Sequence, residues 1–340
     1  MAGPVTLSDV AREAGVSLAT ASRAFNGSAN RTVRADLREK VHAAARKLRY
    51  LPDANAQAMA RGRTTSVGLV VHDIADPYFS SIARGVTRAA DRAGLQVILA
   101  STEQDPSREA AIVELLHRQR ARAIVIAGGR LADEALTEAL REALAEYRES
   151  GGSVAVIGQA VLGVDAVEVQ NEAGARALAD ALVDRGYRDV AVLGGPASHL
   201  TARDRRDGFL AGLAARGVTV PADRVVAGDF THEGGERAMS ELLASGARPE
   251  LVFAVNDVMA LGALRAARDA GLDVPRDVAV AGFDDIATLR DVVPGLTTVR
   301  IPLEDVGVMA TELALGEAAD EPRALPVPTE VVLRESTPQR

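Results

Sequence analysis

The stretch DVAREAGVSLATASRAFNG, residues 9–27, has the spacing of two short helices about a tight turn. Thr6 and Asp9 stand at capping-box spacing, with Asp in the place of the usual Glu or Gln. Val10, Ala11 and Ala14 then make one apolar stripe. Gly15 ends this helix, and Ser17 can cap a second that runs to about Phe25. A third pattern, DLREKVHAAARKL at 36–48, sets Leu37, Val41, Ala44 and Leu48 on one face. Three short helices with a Gly turn form a helix-turn-helix module, a shape that lays its second helix in the major groove of DNA. Yet that helix begins with Leu18 and Ala19, neither of which can hydrogen-bond a base.

Charge is distributed to match. Residues 1–63 hold eleven Lys and Arg against five Asp and Glu, a net +6; the whole chain carries −8, so the remainder carries −14. A basic head on an acidic body suggests that only the head meets a polyanion, the plainer alternative being a solvated helical face. At 340 residues the chain suits two or three domains. It has no Cys, which excludes disulfides, Cys-zinc sites and thiol nucleophiles, and its five His show no pair at metal-ligand spacing. No cofactor is expected. The first residues lack the basic flank and apolar run of a secretory signal, and no stretch is apolar enough to span a membrane. A cytoplasmic protein without a membrane partner is the expectation.

After the third helix comes YLPDANAQAMARGRTT at 50–65, where Pro52 breaks the helix, Asp53 can cap a new one and Gly62 can end it. A helix that short is marginal in water and forms only when something holds it. From Ser66 the pattern changes to apolar runs separated by amphipathic helices. The runs are SVGLVVHD, LQVILAST, RAIVIAGG, SVAVIGQA, DVAVLGGP, RVVAGDF, LVFAVND and VAVAGFDD, with TTVRIP near the end. Buried strands alternating with helices imply parallel sheets covered on both faces. The number of runs exceeds one compact sheet, so two similar α/β lobes are expected, with a boundary near 160–170 and a return crossing near 290–300. Ligands of such sheets sit outside the carboxyl ends of the strands. Those ends carry Asp73, Ser101, Gly128, Gly158, Gly194, Asp229, Asn256 and Asp284, a set that suits a cleft for a small polar molecule or merely the loops that follow strands.

TLSDVAREAGVSLATASRAFNG, DPYFSSIARGV, ARDRRDGF, FAVNDVMALGALRAARDAGLDVP, VAVAGFDD and LTTVRIP, in that order, resemble the lactose/galactose-repressor (LacI/GalR) family from end to end. The resemblance implies a dimeric transcription factor, most simply a repressor. It would have an all-α helix-turn-helix domain at 1–50 and a hinge helix and linker at 51–63. The α/β core at 64–340 would resemble periplasmic binding proteins. One lobe of that core would take about 64–165 plus 295–325, and the other about 166–294 plus 326–340. The implied partners are double-stranded operator DNA, as an inverted repeat matching the dimer's two-fold symmetry, and a small-molecule effector of the sugar class. No Leu heptad follows the tail PTEVVLRESTPQR, so a homodimer rather than a tetramer is expected.

The resemblance also assigns residues. On the DNA side they are Thr6, Ser17, Leu18, Ala19, Thr20, Arg23, Asn26, Asn55 and Met59. Ser17 and Thr20 match positions that bond phosphates, although Ser17 is equally an N-cap. Leu18, Ala19 and Arg23 match positions facing base edges. Arg23 can fork onto guanine, or simply touch a phosphate, and the apolar pair can meet the thymine methyl. Met59 stands where a Leu usually wedges into the minor groove. The loop NGSANRTVRAD is longer than usual, with Arg34 in place of a Ser-type cap.

In the core, Asp76, Tyr78 and Phe79 match the first-lobe ligand segment, and Arg205, Phe230, Asn256 and Asp284 match second-lobe positions. The alternatives are an ion pair between lobes for Arg205 and Asp284, an N-cap for Asn256, core packing for Phe230, and Arg203 in place of Arg205. Gly158, Gln159, Gln170 and Ile301 depart from the family's more polar residues. These departures suggest a first-lobe side depleted of polarity and a smaller or less hydroxylated ligand. An enzyme is the main rival reading, but the chain has no GxGxxG after the first strand, no GxxxxGK[ST] and no GxSxG. A pure solute-binding protein would not need the basic head.

Overall fold

A computed structural model describes residues 5–26, 33–51 and 63–340. They form two compact units, one of residues 1–65 with 118–122 and one of the remainder. Asn55 and Met59 lie outside the described residues.

In the head, α1 (Leu7–Glu13) begins with a complete capping box: Thr6 N donates to Asp9 Oδ2 at 2.9 Å, and Asp9 N donates back to Thr6 Oγ1 at 3.4 Å. Gly15, at φ +65, turns the chain. Helix α2 (Leu18–Asn26) then starts on Ser17, whose hydroxyl accepts from Thr20 N at 3.1 Å. Helix α3 (Ala35–Leu48) has no side-chain cap at Arg34, which instead pairs with Asp36. Val10, Ala11, Ala21, Ala24, Val41, Ala44 and Ala45 make the core that joins all three. Small residues predominate there, so the helices pack closely, and Lys47 closes α3 on α1 through Glu13 at 2.5 Å.

The second unit holds two parallel sheets. The strands are β1 (Ser66–Val71), β2 (Gln96–Ser101), β3 (Ala123–Ala127), β4 (Ser153–Ile157), β5 (Asp165–Val169), β6 (Val190–Gly194), β7 (Val225–Ala227), β8 (Leu251–Ala254), β9 (Ala279–Ala281), β10 (Thr298–Arg300), β11 (Ala324–Val327) and β12 (Glu330–Val332). The first sheet runs β11-β5-β4-β3-β1-β2 and the second β7-β6-β8-β9, every pair parallel. A small antiparallel pair, β10 with β12, carries the chain between them. Strands β5, β11 and β12 have no counterpart among the runs read from sequence. Two of them, DAVEV and ALPV, are broken by charge or proline, and Pro326 is tolerated because β11 is an edge strand.

Helices cover both faces of both sheets: α4 (Pro77–Arg92), α5 (Arg108–Arg118), α6 (Glu134–Glu149), α7 (Asn171–Asp184), α8 (Leu200–Ala215), α9 (His232–Ala244), α10 (Asp257–Asp269) and α11 (Leu303–Leu315). Helices α4 and α11 meet through Gly85 and Gly307, where any Cβ would overlap the facing backbone at Glu304 and Ile82. Beside that crossing Arg84 and Arg88 reach Glu304, and Arg92 reaches Glu312. Loops β1–α4, β3–α6, β6–α8, β7–α9, β8–α10 and the turn after β9 therefore gather where the two sheets' carboxyl ends face each other. No described helix is long and apolar enough to cross a membrane.

Candidate functional site

The start of α2 is the exposed corner of the head. Leu18 is 51% exposed, with Ser17 and Ala19 exposed beside it. Leu18 therefore takes no part in the head's core. The Ser17 and Thr20 hydroxyls lie 2.8 Å apart, and Arg23 Nε donates to the Ala19 carbonyl at 2.9 Å. Thr6 is engaged in its capping box, and Asn26 Nδ2 donates to Ser22 Oγ at 3.3 Å.

In the second unit, a cavity of about 390 Å³ lies at the strands' carboxyl ends, and all seven candidates from the sequence line it. Asp76 caps α4, its Oδ1 accepting from Tyr78 N at 2.9 Å; Pro77 fixes the first turn, and Tyr78 and Phe79 follow with rings 5.1 Å apart, edge to face. Burial pushes the Asp76 carboxyl up. On the other wall Asn256 caps α10, accepting from Met259 N at 2.9 Å. The capping role and the cavity position thus coexist in one residue. Phe230 stacks on His199 at 4.7 Å.

Arg205 is only 2% exposed. Its Nε donates to Asn171 Oδ1 at 2.8 Å and its Nη1 to the Val255 carbonyl at 2.9 Å, while the guanidinium lies 4.1 Å over the Phe283 ring. Nη2 stands 2.8 Å from Asp284 Oδ1, close enough for an ion pair but off the line of a directed hydrogen bond. That buried oxygen consequently has no directed donor among the described residues. Burial raises the Asp284 carboxyl, and the Arg205 charge opposes the rise. Asp284 also sits at φ 126, a conformation that costs a non-glycine residue about 1–3 kcal/mol and tends to occur at ligand sites. Arg203 does not line the cavity and reaches toward Asp204 instead.

The first-lobe wall differs from the expectation of lost polarity. Gln159 does not line the cavity: its Oε1 accepts from Arg130 N at 3.0 Å, and its Nε2 donates to Thr201 Oγ1 at 3.1 Å. Gln170 and Ile301 lie away from the cavity as well. In their place stands a cluster that sequence reading missed. Arg130 forks onto Glu109 at 2.6 and 2.8 Å, and His72 Nε2 lies 3.3 Å from both Glu109 Oε1 and Arg130 Nη2. Gly128, at φ +143, leaves room for the His72 ring, which any Cβ there would strike. Burial alone would raise Glu109, but the hydrogen bond with His72 and the charge and hydrogen bonds of Arg130 hold it down at about 2. His199, missed too, caps α8 by accepting from Ala202 N on Nδ1. Burial, reinforced by the charges of His72, Arg205 and Arg130, drives its pKa down to about 3, so it is neutral. Only His72 had a signal in the sequence, its place directly after β1.

The two lobes touch beside this cavity. Leu200 N donates to the Arg130 carbonyl at 2.9 Å and Ala132 N to the Ser198 carbonyl at 2.7 Å, joining the loops that follow β3 and β6. Among the described residues no group of His, Asp and Glu has the arrangement of a metal site. The arrangement is a binding cleft with convergent polar groups and aromatic faces.

Two family models match the chain: bacterial regulatory proteins of the lacI family over residues 6–53, and a periplasmic binding protein-like domain over 179–337. The HTH-type transcriptional regulator GalS of Salmonella typhimurium is 36% identical over 319 residues, covering 93% of this chain and 90% of that one. The structure of a lac repressor dimer bound to operator and the anti-inducer ONPF superposes with a TM-score of 0.84 at 29% identity, covering 99% of this chain and all of that one. A complex of the transcriptional regulator CelR with cellobiose gives 0.70 at 31% identity, covering 98% and 99%. Spanning head and core in one order, these similarities place the chain among transcription regulators rather than enzymes: it belongs to the lacI family of bacterial regulatory proteins.

Proposed function

We propose that this chain is a sequence-specific DNA-binding repressor, acting in the cytoplasm as a homodimer on an inverted-repeat operator. A small polar ligand, a sugar or sugar derivative, held between the two lobes would control its grip on that operator. The observation that carries the reading is the convergence of Asp76, Tyr78, Phe79, Arg205, Phe230, Asn256 and Asp284 on one cavity. The relatives point the same way, one being named as bound to operator and another to cellobiose.

In this reading residues 1–50 form the DNA-binding domain, 51–63 the hinge and 64–340 the effector core. Leu18 and Ala19 offer methyl surface to thymine, and Arg23 swings off its own helix to fork onto guanine. Thr6, Ser17, Thr20 and Asn26 hold the phosphates, while Asn55 and Met59 take the hinge positions. In the core, aromatic faces flank the ligand's C–H surface, Asn256 donates to it, and Asp284 accepts one of its hydroxyls. Strand β2 supports the dimer: it ends its sheet, and Ile98 and Leu99 are 36% and 43% exposed on it. An unpaired edge bearing large apolar side chains is a surface that a second copy covers.

Coupling then follows from differential affinity: a ligand that prefers one lobe arrangement shifts the population, and operator affinity moves with it. The test has two steps. Fragments bound by the full chain are selected from the source genome, and the recovered operator is titrated by fluorescence anisotropy against a panel of sugars. A ligand-dependent change in operator Kd is expected, its direction separating inducer from corepressor. Indifference to every sugar would sink the effector reading.

A further inference from the structure

Two guanidiniums reach the ligand cleft, and both are already occupied. Glu109 takes both terminal nitrogens of Arg130 in a fork, and the Gly128 carbonyl accepts a further bond from Nη2 at 3.2 Å. Arg205 spends its three nitrogens on Asn171, Val255 and Asp284, and its face on Phe283. Neither can offer the open fork by which arginine recognises a phosphate or carboxylate. His199 is held neutral and adds no charge.

The acids are in excess. Besides the two carboxylates already paired with these arginines, the cleft is lined by Asp73, Asp76, Asp133 and Asp229. Asp229 pairs outward with Arg237 and Asp133 caps α6; Asp76 is half-buried and feels the Arg205 charge, but makes no salt bridge among the described residues. Asp284 Oδ1 is buried against Arg205 Nη2 at 2.8 Å. The cleft thus carries six acids against two guanidiniums, both already committed, so a further negative charge entering it would be repelled.

We propose that the cleft takes an uncharged, hydroxyl-rich ligand and refuses phosphorylated or carboxylated ones, with Glu109 the residue that denies anions the use of Arg130. This rests on reading the cleft as the effector site. Nothing in the sequence suggested it, because Glu109 and Arg130 lie 21 positions apart and meet only in the fold.

Isothermal titration calorimetry on the full chain tests it, at one ionic strength. Galactose, ribose and cellobiose are each compared with an anionic counterpart: galactose 6-phosphate, ribose 5-phosphate and cellobionate. The expected result is a neutral sugar that binds at least tenfold more tightly than its anionic counterpart. An anionic member that binds as well or better overturns the proposal and leaves the effector-site reading standing. If no member of any pair binds, both fall together. Glu109→Gln frees the Arg130 guanidinium, so the preference for the neutral member should shrink several-fold. A folded variant with an unchanged preference removes Glu109 from the explanation. The unsubstituted chain decides the exclusion of anions whether or not the variant folds.

Discussion

Replacing Glu109 with Gln deletes the carboxylate that forks with Arg130 and leaves that guanidinium buried without its counter-charge. Both side chains are nearly inaccessible, Glu109 at 6% and Arg130 at 7%, so solvent screening discounts the interaction little. Breaking a buried pair from one side costs about 3–5 kcal/mol. The lowering of the Glu109 carboxyl gives a second figure. Held at about 2 against an ordinary 4.5, it represents about 3 kcal/mol of stability at neutral pH. Because the folded value is depressed, that stability is fully present above 4.5 and disappears as pH falls toward 2. By pH 3.5 roughly 1 kcal/mol of it is gone. Urea unfolding followed by far-UV circular dichroism at pH 7, 5 and 3.5 reads both effects. The variant should be less stable by several kcal/mol at pH 7, and the gap should narrow by about 1 kcal/mol at pH 3.5. A gap that is absent at pH 7, or that stays constant to pH 3.5, would refute the assignment of Glu109 as a buried, Arg-paired carboxylate.

Arg23→Ala should cost about 1–3 kcal/mol of discrimination at one G·C pair of each half-site while leaving non-specific DNA binding nearly unchanged, as read by anisotropy on matched and mismatched duplexes; equal losses on both duplexes would make Arg23 a phosphate contact. Leu99→Asp places a charge on the exposed β2 edge and should convert a dimer to a monomer in sedimentation analysis, a stable dimer counting against that edge. Asp284→Asn retains a residue type that tolerates positive φ but weakens the acceptor facing the cleft. It should abolish the ligand response and leave ligand-free operator affinity within a few-fold. An intact response would remove Asp284 from the ligand's contacts.

Much of this architecture was legible because its signals are local. A capping box, a turn glycine and a stripe of small residues specify the head within some forty positions. In the core, the rule that ligands meet strand carboxyl ends picked out Asp73, Gly128, Asp229, Asn256 and Asp284, all of which line the cleft. The same rule also gathered Ser101, Gly158 and Gly194, which do not. What escaped was non-local. Glu109 stands in SREAA, an ordinary helix start, and nothing beside it shows that a buried arginine awaits it. Strand β5 carries Asp165 and Glu168, whose partners, Arg323 and the amide of Ala160, come from elsewhere in the chain. Reading departures from the family one by one misjudged the first-lobe wall, since polarity lost at Gly158 and Gln159 returns through His72, Glu109 and Arg130.

The backbone strip joining residues 130–132 to 198–200 bears on time as well as affinity. It bolts the lobes together along one side of the cleft, with Gln159 as a second fastening. A molecule arriving or leaving must use the remaining side or wait until the bolt slips. Where the remaining side is too narrow for the ligand, opening of the lobes and not diffusion sets the pace of exchange.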